Sequence, residues 1–316
     1  MPITLANVTI IGGIVITMAY PGNPTGIIGF GTTTGTNLGT TNLISNIGVM
    51  SADRTAVNTA RWGLAACGYG NDKCIFGYGN LNGSYSNGIN LVTNTGAIAA
   101  SVTGAGTNRF DLAAATYGRD KGIFGFGDNG GTQQGITNLV SNTGTVATDT
   151  AAVGTARGGL GGLSYGIDKV MFAYGNSNTG YVNTFNLVSN TGVVATDSTG
   201  AGTVRTGVSG CSYGGDKGLF AFGTTTFTGV GPYSVTNLVS NTGTLATDTT
   251  GVSATPRAYA AACIFGGDRA IFANGEPSQN TYTTTSNLVS NTGVMASDIT
   301  TAGTARSRHA GAGYGS

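Results

Sequence analysis

The chain has 316 residues, 56 of them glycine, with only 9% charged side chains and a formal charge of +1. Charge this sparse, with no basic run, removes the electrostatic reason to expect a nucleic-acid partner. Strand formers such as Val, Ile, Thr, Tyr and Phe recur among Asn-Gly turn signals, so the composition predicts an all-β fold with many tight turns.

Residues 1–25, "MPITLANVTIIGGIVITMAYPGNPT", carry no Lys or Arg, and Gly12, Gly13 and Pro21 interrupt their apolar run. They are expected to be neither a cleaved secretion signal nor a membrane span. Their alternating β-branched residues predict an extra strand or hairpin, an attachment segment outside a single domain over residues 26–316.

From there the chain repeats itself. The asparagine that opens "NLVSNTGVVATD" (186–197) recurs as Asn42, Asn90, Asn138, Asn186, Asn237 and Asn287, at spacings of 48, 48, 48, 51 and 50. Within a copy four strand-like runs follow one another: "GLAACGYG" (63–70), "KCIFGYG" (73–79), "INLVTNTG" (89–96) and "VVATD" (193–197). Tight "GND" and "SNTG" turns join the first to the second and the third to the fourth. Four short antiparallel runs at this period predict propeller blades.

The ends suggest how the array closes. "ARSRHAGAGYGS" (305–316) is a first strand with no second after it, and "GIIGFG" (26–31) is a second strand with no standard first before it. Together they complete one blade, giving a six-bladed β-propeller of four-stranded antiparallel blades closed by strands from both termini. In the competing pairing "GIVITMAY" (13–20) is the first strand. The C-terminal strand is then left for a partial seventh blade or for donation to a neighbouring subunit.

The run "TARWGLAACGYGNDKCIFGYG", followed by "NLVTNTG", resembles the kelch-type propeller repeat. In that family an Arg precedes the inner strand, a glycine pair ends the second strand, and a Thr-Asn turn joins the outer two. Here the pair is split as Gly77 and Gly79, and the outer-strand Trp is missing. The wording "YGxDKxIFGYG … TNLVSNTGxxATDTTGxGTAR" is also similar to repeats of tailed-bacteriophage virion proteins. This second likeness covers nearly the whole chain, carries no catalytic motif, and implies a context in the virion.

Most charge follows the period. Arg61, Arg109, Arg157, Arg205, Arg257 and Arg306 open the first strand, Asp-Lys or Asp-Arg pairs fill the first turn, and Asp53, Asp149, Asp197, Asp248 and Asp298 end the fourth run. Such groups are expected to bridge neighbouring blades or satisfy turn amides. The alternative is an arginine ring at the mouth of a central channel, able to hold an anion. Cys67, Cys211 and Cys263 share a slot filled elsewhere by Ala115, Leu163 and Ala312, so a small buried position is expected. Cys74 faces Cys67 across a predicted hairpin, which leaves a disulfide open there.

Periodic aromatics such as Phe76, Phe124 and Tyr69 are expected in the core. Variation concentrates in the connections between second and third strands, which carry Tyr85, Tyr181, Phe185, Phe227, Tyr233 and Tyr282. Trp62, Phe110 and Tyr259 flank the arginines on the same face. Aromatics among Asn, Ser, Thr and Gly on a rigid scaffold predict recognition of a sugar or a protein surface. Asp128-Asn129-Gly130-Gly131 lacks the ligand pattern of a calcium loop.

Catalysis has few candidates. His309 is the single histidine, Glu276 the single glutamate, and Asp111 and Asp128 the only aspartates off the period. They offer neither a glycosidase carboxylate pair nor a metal-ligand set, so no enzymatic activity, metal or cofactor is expected. The expected role is a virion or extracellular structural protein of a capsid, neck or tail fibre. Its partners would be other virion proteins and host-surface glycan or protein, and it would form homo-oligomers in one arrangement. The alternatives are a receptor- or glycan-binding adhesin module and a fibre subunit assembled by strand donation.

Overall fold

The computed structural model describes residues 8–11, 14–17, 25–55, 59–226, 232–250 and 254–315. Every regular element among the described residues is a β-strand, and the strands form small antiparallel sheets. Residues 8–11 pair with 14–17 as a separate hairpin.

Six sheets repeat one plan. Sheet two begins with Ala65–Tyr69, continues through Lys73–Leu81 and Ser84–Val92, and adds Val102–Thr103 at its edge. Sheets three, four and five each have three strands: Ala113–Tyr117, Lys121–Gly125 and Thr137–Val140; Gly161–Tyr165, Lys169–Ala173 and Phe185–Val188; Ser209–Tyr213, Lys217–Ala221 and Thr236–Val239. Sheet six has Ala261–Phe265, Arg269–Ala273, Thr285–Val289 and a short Ile299–Thr300. Small residues alternate along each first strand, which is buried on every second residue. Second strands are buried almost throughout, because the first strand of the preceding sheet covers them as well.

Sheet one is assembled from both ends of the chain. Ala310–Tyr314 pairs antiparallel with Thr25–Gly29, which pairs with Thr41–Ile44; Ala312 lies opposite Ile27, and Ile28 opposite Asn42. The competing pairing is thereby overturned: residues 14–17 lie against 8–11, and the C-terminal strand is used within its own chain.

The fourth run differs from expectation. In four of the six sheets it contributes only bridges, such as Val140 with Val146 and Val188 with Val194. In every sheet the asparagine of the third strand also holds this run, whether or not a fourth strand forms. Asn138 Nδ2 donates to Ala147 O at 3.0 Å and to Asp149 Oδ1 at 2.9 Å, so a side chain holds the segment together with the bridges. Asn186, Asn237 and Asn287 repeat the arrangement.

Neighbouring sheets pack through their first strands in cyclic order, two to three, three to four, four to five, five to six, six to one and one to two. Apolar clusters follow the same cycle. One joins Cys67 and Ile75 to Phe124 and Val140, and another joins Ile28 and Ile44 to Cys263 and Ile271. Side-chain volumes match across these seams. Leu163 occupies the slot facing Gly218, where an added Cβ would lie 2.4 Å from Leu163 Cδ1, whereas Ala115 shares its cluster with Val170. All four cysteines are free and buried, so Cys67 and Cys74 form no disulfide.

A cycle of backbone hydrogen bonds joins the sheets at the residue two positions after each periodic arginine. Gly63 N donates to Arg308 O, Asp111 N to Gly63 O, Gly159 N to Asp111 O, Gly207 N to Gly159 O, Tyr259 N to Gly207 O and Arg308 N to Tyr259 O, at 2.7–3.0 Å. All six residues have positive φ, between 49° and 66°. At Gly63 the demand for glycine is also steric, since a Cβ there would stand 2.9 Å from Asp111 Oδ1.

Candidate functional site

The six periodic arginines are interior, each at most 1% exposed. Arg109 shows how each is held. Its Nε donates to Phe126 O at 2.8 Å, Nη2 to Asn138 Oδ1 at 2.6 Å and Nη1 to Thr107 O at 3.1 Å, while its Cζ lies 4.2 Å from the Tyr78 ring centroid of the preceding sheet. The guanidinium fork thus ties its own second and third strands to a neighbouring aromatic ring. Arg61, Arg157, Arg205 and Arg257 lie likewise over Phe30, Phe126, Tyr174 and Phe222. At the sixth position Asn274 replaces the aromatic, and Arg306 donates to Asn42 Oδ1 and Asp53 Oδ1, both at 2.6 Å. Burial lowers Arg61, Arg157 and Arg257 to about 10, which leaves them charged at neutral pH. The channel-mouth ring of Arg61, Arg109, Arg157, Arg205, Arg257 and Arg306 is therefore corrected: these guanidinium groups are enclosed in the protein interior and present no donor at a surface for an anion.

A different arginine, largely buried, borders an open cleft. Arg308 belongs to the backbone cycle, and its Nη1 lies 2.6 Å from Asp111 Oδ2, reaching past Gly63. Its Cζ stands 3.7 Å from the Tyr259 ring centroid and 5.1 Å from that of Trp62. The three non-glycine members of the cycle, Asp111, Tyr259 and Arg308, thus meet in one cluster. Beneath it is a cavity of about 70 Å³, lined by the cycle and by following residues such as Leu64 and His309. Burial keeps the His309 imidazole well below its usual pKa and so neutral, at a position held elsewhere by Leu64, Leu112, Leu160, Val208 and Ala260.

Above the cluster opens a cleft of about 360 Å³. Trp62, Tyr259, Tyr282, Pro232, Glu276 and Arg308 line it together with Thr32, Thr33, Ser278, Gln279 and Asn280. Glu276 Oε1 accepts the Asn280 N–H at 2.7 Å and so fixes the loop that carries Tyr282. An aromatic band extends outward from Trp62, which meets Phe110 edge-on at 5.1 Å. Phe110 in turn stacks on Tyr85 at 5.2 Å with the rings 12° from parallel.

Of the aromatics singled out from sequence, Trp62, Tyr259 and Tyr282 come together in the cleft, and Phe110 and Tyr85 adjoin it through this band. Phe185 begins the third strand of sheet four and packs half-buried against the core there, because the position that opens this strand faces inward. Tyr181 lies in a small three-stranded sheet with Arg157–Gly158 and Asn176–Ser177, and Tyr233 hydrogen-bonds Thr225 through its hydroxyl. Phe227 lies outside the described residues. Sequence reasoning did not mark Arg308, Glu276 or Asp111 as parts of a binding site. The signal for two of them was the position two after each arginine, where Gly63, Gly159 and Gly207 give way to Asp111, Tyr259 and Arg308.

The opposite face is uniform. Asn94, Asn142, Asn190, Asn241 and Asn291, in the turns after the third strands, donate to Asp72, Asp120, Asp168, Asp216 and Asp268 in the turns after the first strands, at 3.0–3.2 Å. Among the described residues no group of His, Cys, Asp and Glu is arranged to hold a metal, and no helix is long and apolar enough to cross a membrane. No family model matches the chain, and no curated protein matches it significantly.

Proposed function

We propose that the chain is a six-bladed β-propeller acting without catalysis as a virion-associated structural protein, with its variable loop face making contact with protein or glycan. The propeller reading is supported by the cyclic order of sheet contacts, by sheet one being built from both termini, and by the backbone hydrogen-bond cycle. The observation that carries the functional reading is the asymmetry of the two faces. One repeats the same Asn–Asp turn contact from sheet to sheet, whereas the other holds the cleft and the loops that differ in length and content. A rigid, repeated scaffold with diversity confined to one side is suited to presenting a contact surface. The particle context rests on the likeness of the repeat to those of tailed-phage virion proteins.

The test is immunogold electron microscopy of intact particles with antibody to the purified protein. Label on a capsid, neck or tail supports the reading, and unlabelled particles refute it. The receptor-binding alternative is favoured by one observation, the clustering of Trp62, Tyr259 and Tyr282 in the cleft; label confined to a tail or fibre tip would support it. Fibre assembly by donation of the C-terminal strand has no comparable support, because Ala310–Tyr314 already pairs with Thr25–Gly29.

A further inference from the structure

We infer that the cleft above Arg308 is a binding site for a neutral saccharide, one that discriminates against sialylated and other acidic glycans. This inference rests on the reading of the variable face as a contact surface and names what that face takes.

The lining has the two components that a sugar ring requires. Trp62 and Tyr282 supply flat apolar faces for the C–H face of a pyranose, with Tyr259 packed behind them under Arg308, and Ser278, Gln279 and Asn280 supply hydroxyl and amide groups for its hydroxyl rim. A cleft of about 360 Å³ falls in the range of small-molecule sites, roughly 300–1,000 Å³.

The charges decide the class of sugar. Among the described residues Arg308 is the only cation in the lining, and it is already committed to Asp111 at 2.6 Å and stacked on Tyr259 at 3.7 Å. Glu276 lies in the same lining with one oxygen facing Asn280 N–H. An anionic ligand would meet the Glu276 carboxylate and one guanidinium already paired with Asp111 beneath, so its desolvation would go uncompensated.

Backbone geometry independently marks the same spot. Tyr259 and Arg308 hold φ of 55° and 52° at positions where Gly63, Gly159 and Gly207 serve in other sheets. Side chains kept in a conformation that disfavours them, both lining one cleft, point to a function at that cleft.

The test uses the purified full chain on an array of neutral gluco-, galacto- and manno-oligosaccharides beside sialyllactose and other sialylated glycans, with titration calorimetry on any ligand found. The expected result is binding of a neutral oligosaccharide, weakened about tenfold or more by Tyr282→Ala and by Trp62→Ala. Val193→Ala, in a turn of the opposite face, should leave it unchanged. Circular dichroism of each variant separates lost binding from lost fold. Preference for sialylated glycans, binding that survives both aromatic variants, or an array with no neutral ligand each overturns the inference. An empty array with gold label on the particle removes the saccharide and leaves the structural role standing, whereas an empty array with unlabelled particles removes both.

Discussion

Gly63 donates its backbone N–H to the carbonyl of Arg308 at 2.8 Å, and with that bond a series of six equivalent bonds returns to its starting point. Residues near the C-terminus thereby hold the beginning of the second sheet as firmly as any neighbouring pair is held. Arg306 strengthens the same junction from inside, donating to Asn42 and Asp53.

Deleting residues 305–316 is therefore expected to abolish cooperative unfolding rather than trim an end, because Thr25–Gly29 loses its antiparallel neighbour and Asn42 its buried cation. A circular permutant that joins residue 315 to residue 25 and opens the exposed turn at Asn82-Gly83 should keep a sharp transition. Thermal scans of the two proteins decide the matter, and equal melting of truncated and complete chains would contradict it.

Arg109→Ala is expected to lower stability by about 3–5 kcal/mol, since Asn138 Oδ1 and Phe126 O lose a charged donor in a closed interior. Arg109→Lys should recover little, because an ammonium cannot reproduce the fork or the stack on Tyr78. Denaturant unfolding midpoints measure both.

The cluster around Arg308 lends itself to a double-mutant cycle. Asp111→Gly leaves Arg308 without its counter-ion, and Arg308→Gly leaves Asp111 without its donor, so each alone should cost about 1–3 kcal/mol. The double variant loses both partners and relieves two positive-φ residues at about 1 kcal/mol each, so it should lie within about 1 kcal/mol of the parent. Additive losses would show that the pair is not coupled.

Acid should loosen the molecule through one set of groups. At Asp149, Asp197, Asp248 and Asp298 burial alone would raise the pKa, but hydrogen bonds from Thr107, Thr155, Thr203 and Thr255, and from the third-strand asparagines, hold it below the ordinary 3.8. Asp53 is lowered in the same way by Thr304 and Asn42. A carboxylate with a lowered folded pKa contributes stability that is present above the unfolded value and is lost as pH falls through the folded one. Solvent screens part of this, because each carboxylate is partly exposed. Melting temperature is expected to stay level from neutral pH to about 5 and to fall below about 4, with a smaller fall in Thr155→Val. A midpoint unchanged at about pH 3 refutes the assignment.

The thiols should be silent in the folded protein. Burial raises Cys67 and Cys211 to about 12 and pushes Cys74 and Cys263 well above their usual value. Iodoacetamide is expected to label none of the four in native buffer and all of them in denaturant, as mass spectrometry would show.

Much of this architecture is legible in spacing alone. The repeat of Asn42 through Asn287 marks six units, and alternation such as "AACGY" marks a strand with one face in a seam. The fourth run was less legible, because "VVATD" looks like a strand while in sheet four it makes only bridges and is held by the Asn186 side chain. The arginines looked like a candidate ring because a period says nothing about depth. Their burial and the rings of Phe30, Tyr78, Phe126, Tyr174 and Phe222 show that they are enclosed. The cleft was half legible: Trp62, Tyr259 and Tyr282 announced themselves as exceptions. Their meeting depends on sheet one lying between sheets six and two, and no local pattern encodes that.

The six amides of the cycle run head to tail around a circle. In a helix such dipoles align and leave opposite partial charges at the two ends. Around a closed loop they cancel in the plane, so the cavity beneath Arg308 inherits little field from the main chain. The polarity of the cavity that the cycle lines is therefore written, beside the neutral His309, in the side chains of Asp111, Tyr259 and Arg308. Three substitutions can rewrite it while every backbone bond of the cycle stays in place.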